Sequence, residues 1–182
     1  DPKYLIGAIQ NVKLSKIIYP DFVCRFYVDI LVPSSIIFEL YSQGAEIIEK
    51  NIIGDFEGMF WRFEAINDAD VVLIRDTDSR PSYREKYCVE QWMKSNKLFH
   101  TILDHPWHNF NIMPGLSGFK KSNINFKELI NKFQKNDEYG IDYKFFNSIN
   151  NIIKNDLMIH DSVFQRGEKI NIKRNELEFC GK

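Results

Sequence analysis

The sequence is short of several things, and each shortage closes off a class of protein. Cysteine is scarce: Cys24, Cys88 and Cys180 are odd in number and far apart. They make neither a zinc pattern nor a disulfide framework, which points to a reducing compartment, and the cytoplasm is the expected location. A charge excess of one sign is missing, since 24 Lys and Arg against 25 Asp and Glu leave a formal charge of −1. A dedicated nucleic-acid binder carries a basic surplus, so no nucleic-acid partner is expected. No apolar run approaches the ~20 residues that a membrane-spanning helix needs. There is no linker of biased composition and no internal repeat, so residues 1–182 read as one domain. What remains, 44% hydrophobic and 27% charged, is the composition of an ordinary globular protein with a sizeable core.

Apolar periodicity divides the chain into alternating helices and strands. Leu5, Ala8, Ile9, Val12 and Ile17 or Ile18 recur at helical spacing, and Pro20 stops that helix. Phe22–Val28 reads as a strand ending at Asp29, and a helix then runs from Val32-Pro33-Ser34 to Gly44. Ala45–Ile48 is a short strand. Asp55 opens a third helix, with Met59, Phe60, Phe63 and Ile66 as its buried stripe. Val71–Ile74, four aliphatic residues in succession, reads as a strand buried on both faces. Ser82-x-x-Glu85 is a capping box for a helix to about Asn96, followed by a strand over Leu98–Leu103. Helices are expected over 125–135 and 142–155, the second capped by Asp142. Leu157–Ile159 is a last short strand, and the tail from Gly167 reads as polar and irregular. The alternation predicts an α/β fold whose central sheet is mixed and mostly parallel, flanked by helices. A chain of this kind should begin with a strand before its first helix, so an N-terminal extension is expected.

The candidate chemistry centres on Arg75-Asp76-Thr77-Asp78-Ser79-Arg80. A strand that ends in Asp-x-Asp delivers two carboxylates to the edge of the sheet where open α/β folds bind ligands. Two carboxylates are hard oxygen donors suited to Mn2+ or Mg2+, which retain open positions for phosphate oxygens. Four of the seven arginines, Arg62, Arg75, Arg80 and Arg84, lie in the same window and offer donors for a second anionic group. Arg62 sits within the aromatic stripe Phe56–Phe63, so if buried it needs an anionic partner. Further along, Asp104-His105-Pro106-Trp107-His108 is a polar loop after a strand. Zinc is disfavoured there because Pro106 prevents helical i, i+3 ligation. Contacts from His105 and His108 to a sugar or phosphate are expected instead, with a purely structural loop as the alternative. Gly115-x-x-Gly118 allows a backbone to approach a ligand. His160, directly after an apolar strand, is either a third metal ligand or a polar strand end.

These segments, taken in order, resemble the small glycosyltransferases of the GT-A fold encoded by large DNA viruses and related bacterial sequences. The pieces that match are Cys24–Asp29, Gly58–Phe63, Arg75–Arg80, Asp104-His105-Pro106-x-His108, Gly115-x-x-Gly118 and Leu157-x-x-His160-Asp161-Ser162. The resemblance implies a single Rossmann-like domain and a nucleotide-diphosphate sugar donor, with a UDP-sugar favoured. It implies a divalent ion held by Asp76 and Asp78 and completed by His160. The nucleotide sugar would lie against Arg62, Arg75, Asp76, Thr77, Asp78, Arg80, His105, His108, Gly115 and Gly118. The acceptor would be a glycan or glycoprotein, and the location the cytoplasm, of the host if the protein is viral. Asp142 looks like the acid that faces the donor sugar in related retaining enzymes. An inverting enzyme needs a base for the acceptor hydroxyl, and Asp104 or Asp142 suits that role. Both stereochemical courses are compatible with these residues.

Two other readings fit parts of the sequence. Leu73–Asp78 also matches the strand-Asp-x-Asp motif of haloacid-dehalogenase-type phosphohydrolases, with Asp76 as nucleophile and Asp78 as acid/base. In that family the motif belongs to the first strand and a late acidic pair follows, whereas here α/β units precede it and no such pair appears. A non-catalytic sugar-binding module of the same fold would bind nucleotide sugar without turning it over.

Overall fold

The computed structural model describes residues 1–134, 138–174 and 179–182. In chain order they form α1 (Pro2–Ile18), β1 (Arg25–Val28), α2 (Ser34–Ser42), β2 (Glu46–Glu49), α3 (Gly58–Trp61), β3 (Val71–Arg75), α4 (Tyr83–Lys94), β4 (Phe99–Leu103), β5 (Leu116–Lys120), α5 (Phe126–Lys132), α6 (Ile141–Ile153) and β6 (Leu157–Asp161). Short 3-10 turns over Arg62–Asn67 and Lys154–Asp156 extend α3 and α6. The architecture is α/β, with a mixed four-stranded sheet in the order β3-β5-β4-β6. Among the described residues β1 and β2 pair only with each other, in parallel.

The expectation of a mostly parallel sheet is corrected by β5. It runs antiparallel to both β3 and β4, and only β4 and β6 are parallel neighbours in the four-stranded sheet. The loop from β4 to β5, residues 104–115, forms no crossover helix of the kind parallel pairing uses, and the chain turns straight back. As a result β3, β4 and β6 all end at the edge where β5 begins. That edge gathers Asp76, Asp104, Gly115 and Asp161.

β3 is the outer strand of this sheet, and its burial alternates instead of being complete. Strand period 2 then assigns the faces. Val72 and Ile74 pack with Phe60, Phe63, Phe119, Phe145 and Phe146 beneath α5 and α6. Val71 and Leu73 pack with Ile18, Tyr19, Val89 and Trp92 beneath α1 and α4. In the first core the Phe63 and Phe146 rings meet edge to face at 5.2 Å, and Phe60 meets Phe145 at 5.7 Å. Such pairs contribute ~0.5–1.5 kcal/mol beyond area burial and fix the 3-10 turn against α6.

Boundaries differ from the sequence reading mainly at helix ends. α6 starts after Gly140, which takes a left-handed conformation (φ 77°) as the N-cap; Asp142 therefore lies inside the first turn and does not cap it. Ser82 caps α4 by accepting the Glu85 N–H at 3.2 Å. The reciprocal half of that capping box is absent, because the Glu85 carboxylate is engaged elsewhere. α5 closes at Lys132, and Lys135, where the expected helix ended, lies outside the described residues. The tail is less polar in its packing than in its sequence: Ile170 and Cys180 are buried beside Cys88, Ile102 and Leu116. No helix among the described residues is long and apolar enough to cross a membrane.

Candidate functional site

Asp76 continues the alternation of β3, so it shares the face of Val72 and Ile74 and points toward α6. There Arg62, projecting from the 3-10 turn, donates from Nη1 to Asp76 Oδ1 and from Nη2 to Asp142 Oδ2. The sequence separations are 14 and 80 residues, so only the fold assembles this acid–base–acid row. Asp142 is buried (side chain 2% exposed), whereas Asp76 is half open to solvent. Burial raises the Asp142 carboxyl above the ordinary value, and the charge of Asp76 adds to that, against the opposing pull of Arg62. Arg62 Nε is buried without a hydrogen-bond partner among the described residues.

Gly115, at the start of β5, explains how Asp76 fits. A Cβ there would lie 1.9 Å from Asp76 Oδ2 and 2.5 Å from its carboxyl carbon. Only a residue without a side chain admits the carboxylate at this point. Tyr143, next to Asp142, closes another side, and its phenol is pushed up to about 12 by burial and by the charges of Asp76 and Asp142. It is a neutral hydroxyl throughout the physiological range.

The rest of the acidic loop rests on α1. Asp78 pairs with Lys3 at 2.5 Å. Arg80 bonds the Gly7, Thr77 and Ser79 carbonyls and the Asn11 side chain, and Asn11 reaches the Thr77 carbonyl at 3.4 Å. Arg80, expected against the nucleotide sugar, is thus a clasp that holds the loop on the first helix. Thr77 contributes its carbonyl to that clasp.

Several expected site residues are directed elsewhere. Arg75 lies one position from Asp76, and strand alternation turns it to the opposite face. It is 13% exposed and pairs with Glu85 at 2.7 Å, while Glu85 also accepts from the Tyr19 hydroxyl at 2.7 Å. This buried triad accounts for the unused half of the capping box. Gly118, expected in a ligand loop, is a packing residue inside β5, where a Cβ would meet the Trp92 ring at 2.8 Å. His160 faces α4 and is fully buried. Its Nδ1 meets His100 Nε2 at 2.8 Å and its Nε2 meets Gln91 Oε1 at 2.7 Å, so neither nitrogen is open to an ion. Two strands separate β6 from β3, roughly 14 Å at ordinary strand spacing. Burial lowers the His160 pKa to about 4 and holds His100 well below its usual value as well.

Asp104 is a structural anchor. Its oxygens accept from Arg84 Nε and Nη2 (2.8 and 2.7 Å), Ser162 Oγ (2.5 Å) and the Cys180 N–H (3.0 Å). Burial pushes its pKa up, and these four donors more than offset that, so the carboxyl lies below its ordinary value. A carboxylate so occupied has no lone pair directed at a substrate. His108 is buried with Nδ1 accepting the Asp104 N–H, and His105 lies against Phe179. Among the described residues no group of three His, Cys, Asp or Glu side chains is arranged to hold a metal.

Of the expected metal ligands, Asp76 and Asp78 remain: Arg62 links Asp76 to Asp142, and Asp78 lies against Lys3. Asp76 Oδ2 and Asp78 Oδ1 have no hydrogen-bond donor among the described residues. Both side chains are partly exposed, and carboxylate oxygens are the donor type that hard divalent ions take. Sequence reading missed Tyr143, Lys3, Asn11 and Glu85. Only Glu85 carried a signal, and that signal was for capping. No protein-family model, curated protein or solved structure matches this chain.

Proposed function

We propose that the chain is a metal-dependent glycosyltransferase that moves a sugar from a nucleotide-diphosphate donor to an acceptor hydroxyl. The observation that carries this reading is Arg62, joined to one exposed and one buried carboxylate. Asp76 and Asp78 would hold Mn2+ or Mg2+, which when bound would offset the charge of the donor diphosphate. Arg62, fixed by Asp76 and Asp142, adds a positive charge beside that anion, and the attraction strengthens as the leaving group gains charge. Asp142 accepts the proton of the acceptor hydroxyl while that oxygen bonds to the anomeric carbon. The bond between that carbon and the diphosphate oxygen breaks, and its electron pair stays with the nucleotide. A carboxylate with a raised pKa is the better base for this step. Tyr143, a neutral phenol, positions the hydroxyl.

The test is a panel of nucleotide sugars with purified protein, with and without Mn2+. Wild type should hydrolyse or transfer at least one donor only with metal, and ligand binding should raise its melting temperature. Asp76→Asn and Asp78→Asn should each remove turnover with the circular dichroism spectrum unchanged. Undiminished turnover in either variant sinks the metal assignment. Nucleotide-sugar binding without turnover in wild type would favour the non-catalytic sugar-binding module.

A further inference from the structure

Beside the acidic row lies a cavity of about 290 Å3 between the N-terminal half of α6 and the loop over residues 109–112. Nothing in the proposed chemistry so far uses it. Tyr143 belongs to both: its neighbour Asp142 faces Arg62, and its own ring forms the cavity wall. Asn147, four residues on, lines the same helix face. The Phe110 ring lies over Tyr143 at 4.1 Å between centroids and 33° between planes, giving a partly exposed aromatic wall.

The polar groups are prearranged. Asn111 Nδ2 donates to Asn147 Oδ1 at 3.0 Å, which fixes both amides and leaves the Asn147 NH2 and the Asn111 carbonyl available. Arg166 donates to Asn109 Oδ1 at 2.5 Å, with its guanidinium against the Phe164 ring at 4.6 Å. Arg166 is aimed by the turn that carries it. The buried Asp161 carboxylate accepts the N–H groups of Val163, Phe164 and Arg166 at 2.7, 2.7 and 2.8 Å. Gln165 within that turn has φ 60°, a left-handed conformation that a non-glycine residue adopts only when its surroundings impose it. Asp161 is therefore a positioning residue for Arg166.

Planar amides that offer both donor and acceptor, next to an aromatic face, match the alternating hydroxyls and C–H face of a pyranose ring. The free groups are mostly donors and include one cation, which favours a ligand with surplus acceptors. We infer that this cavity, which shares Tyr143 with the surroundings of Asp142, is the acceptor subsite and takes a pyranose residue bearing a carboxylate, held by Asn111, Asn147 and Arg166 against Phe110 and Tyr143. The word acceptor rests on the transfer reading above; the binding site does not.

The experiment is saturation-transfer NMR and titration with the methyl glycosides of glucuronate, galacturonate and mannuronate, each beside its neutral hexose. At least one uronide should bind more tightly than its neutral counterpart. Arg166→Met should weaken that uronide roughly tenfold, the loss of one charge-assisted hydrogen bond, and erase the preference. Asn147→Ala should weaken both members of the pair, with melting curves confirming that the variants fold. No saturation transfer from any uronide, no preference over the neutral sugar, or affinity unchanged in Arg166→Met overturns the inference. The two readings separate in wild type. Uronide binding without metal-dependent donor turnover removes the transfer reading and keeps the site, and turnover without uronide binding does the reverse.

Discussion

Replacing Asp104 with asparagine keeps the side-chain volume and removes the charge at a point where four donors converge. Arg84 supplies two of them at 2.8 and 2.7 Å, Ser162 a third at 2.5 Å and the Cys180 amide a fourth at 3.0 Å. An amide can accept on one atom only, and each Asp104 oxygen takes one Arg84 donor, so its NH2 faces an Arg84 N–H either way, together with Ser162 Oγ or the Cys180 N–H. Arg84 stays buried with its charge uncompensated. Breaking such a pair costs ~3–5 kcal/mol, and for a chain of this length each kcal/mol lowers the melting temperature by ~2–4 °C, so the variant should melt about 6–20 °C lower. The pH dependence has a defined sign. The folded-state pKa of Asp104 is depressed, so its contribution is complete above the unfolded carboxyl value, about 3.9, and is lost as pH falls through the folded value. The gap between wild type and variant should therefore be full at pH 7 and close in acid. Calorimetry across roughly pH 2–7, the span of carboxyl titration, reads both quantities. Turnover measured well below the melting temperature should persist. An unchanged melting temperature with turnover abolished would refute the anchor role and restore Asp104 as a catalytic base.

Gly115→Ala should leave melting within about 1 kcal/mol of wild type, because the obstructed group is the end of a side chain. It should nevertheless cut metal-dependent turnover by tenfold or more, roughly, since the new methyl occupies the place of the Asp76 carboxylate; normal activity would show that Asp76 works from another position. Gly118→Ala should do the opposite, losing ~1–3 kcal/mol against the Trp92 ring while folded protein stays active. His160→Gln should bind Mn2+ as wild type does, and a weakened metal affinity would return His160 to the ion. With its pKa lowered to about 4, His160 stabilises the fold fully above the unfolded value of ~6.5, and that contribution falls as pH drops toward 4. Acid melting curves of His160→Gln should accordingly be flatter across that window.

Local pattern determined much of this protein. Helical periodicity and caps located α1, α4 and α6 to within a few residues, because those signals are written within one or two turns. The Asp-x-Asp turn after an aliphatic strand was legible for the same reason, and so was the need of Arg62 for an anion, since a cation in an aromatic stripe is costly alone. Tertiary structure decided which acids do what. Arg75 and Asp76 are adjacent in sequence, yet strand alternation sends one to Glu85 and the other to Arg62. Asp104 and Asp142 looked alike as candidate bases; one is saturated by four donors and the other joins Asp76 through a shared arginine. His160 lies near the end of β6 at the expected edge but on the far face, with two strands between β6 and β3, and His100 and Gln91 take both its nitrogens. The strand order left β3 at the edge of the sheet, and the antiparallel course of β5 brought Gly115 against Asp76. Residue spacing along the chain carries no record of strand order or face, because both are set by which surfaces bury one another once the whole sheet forms.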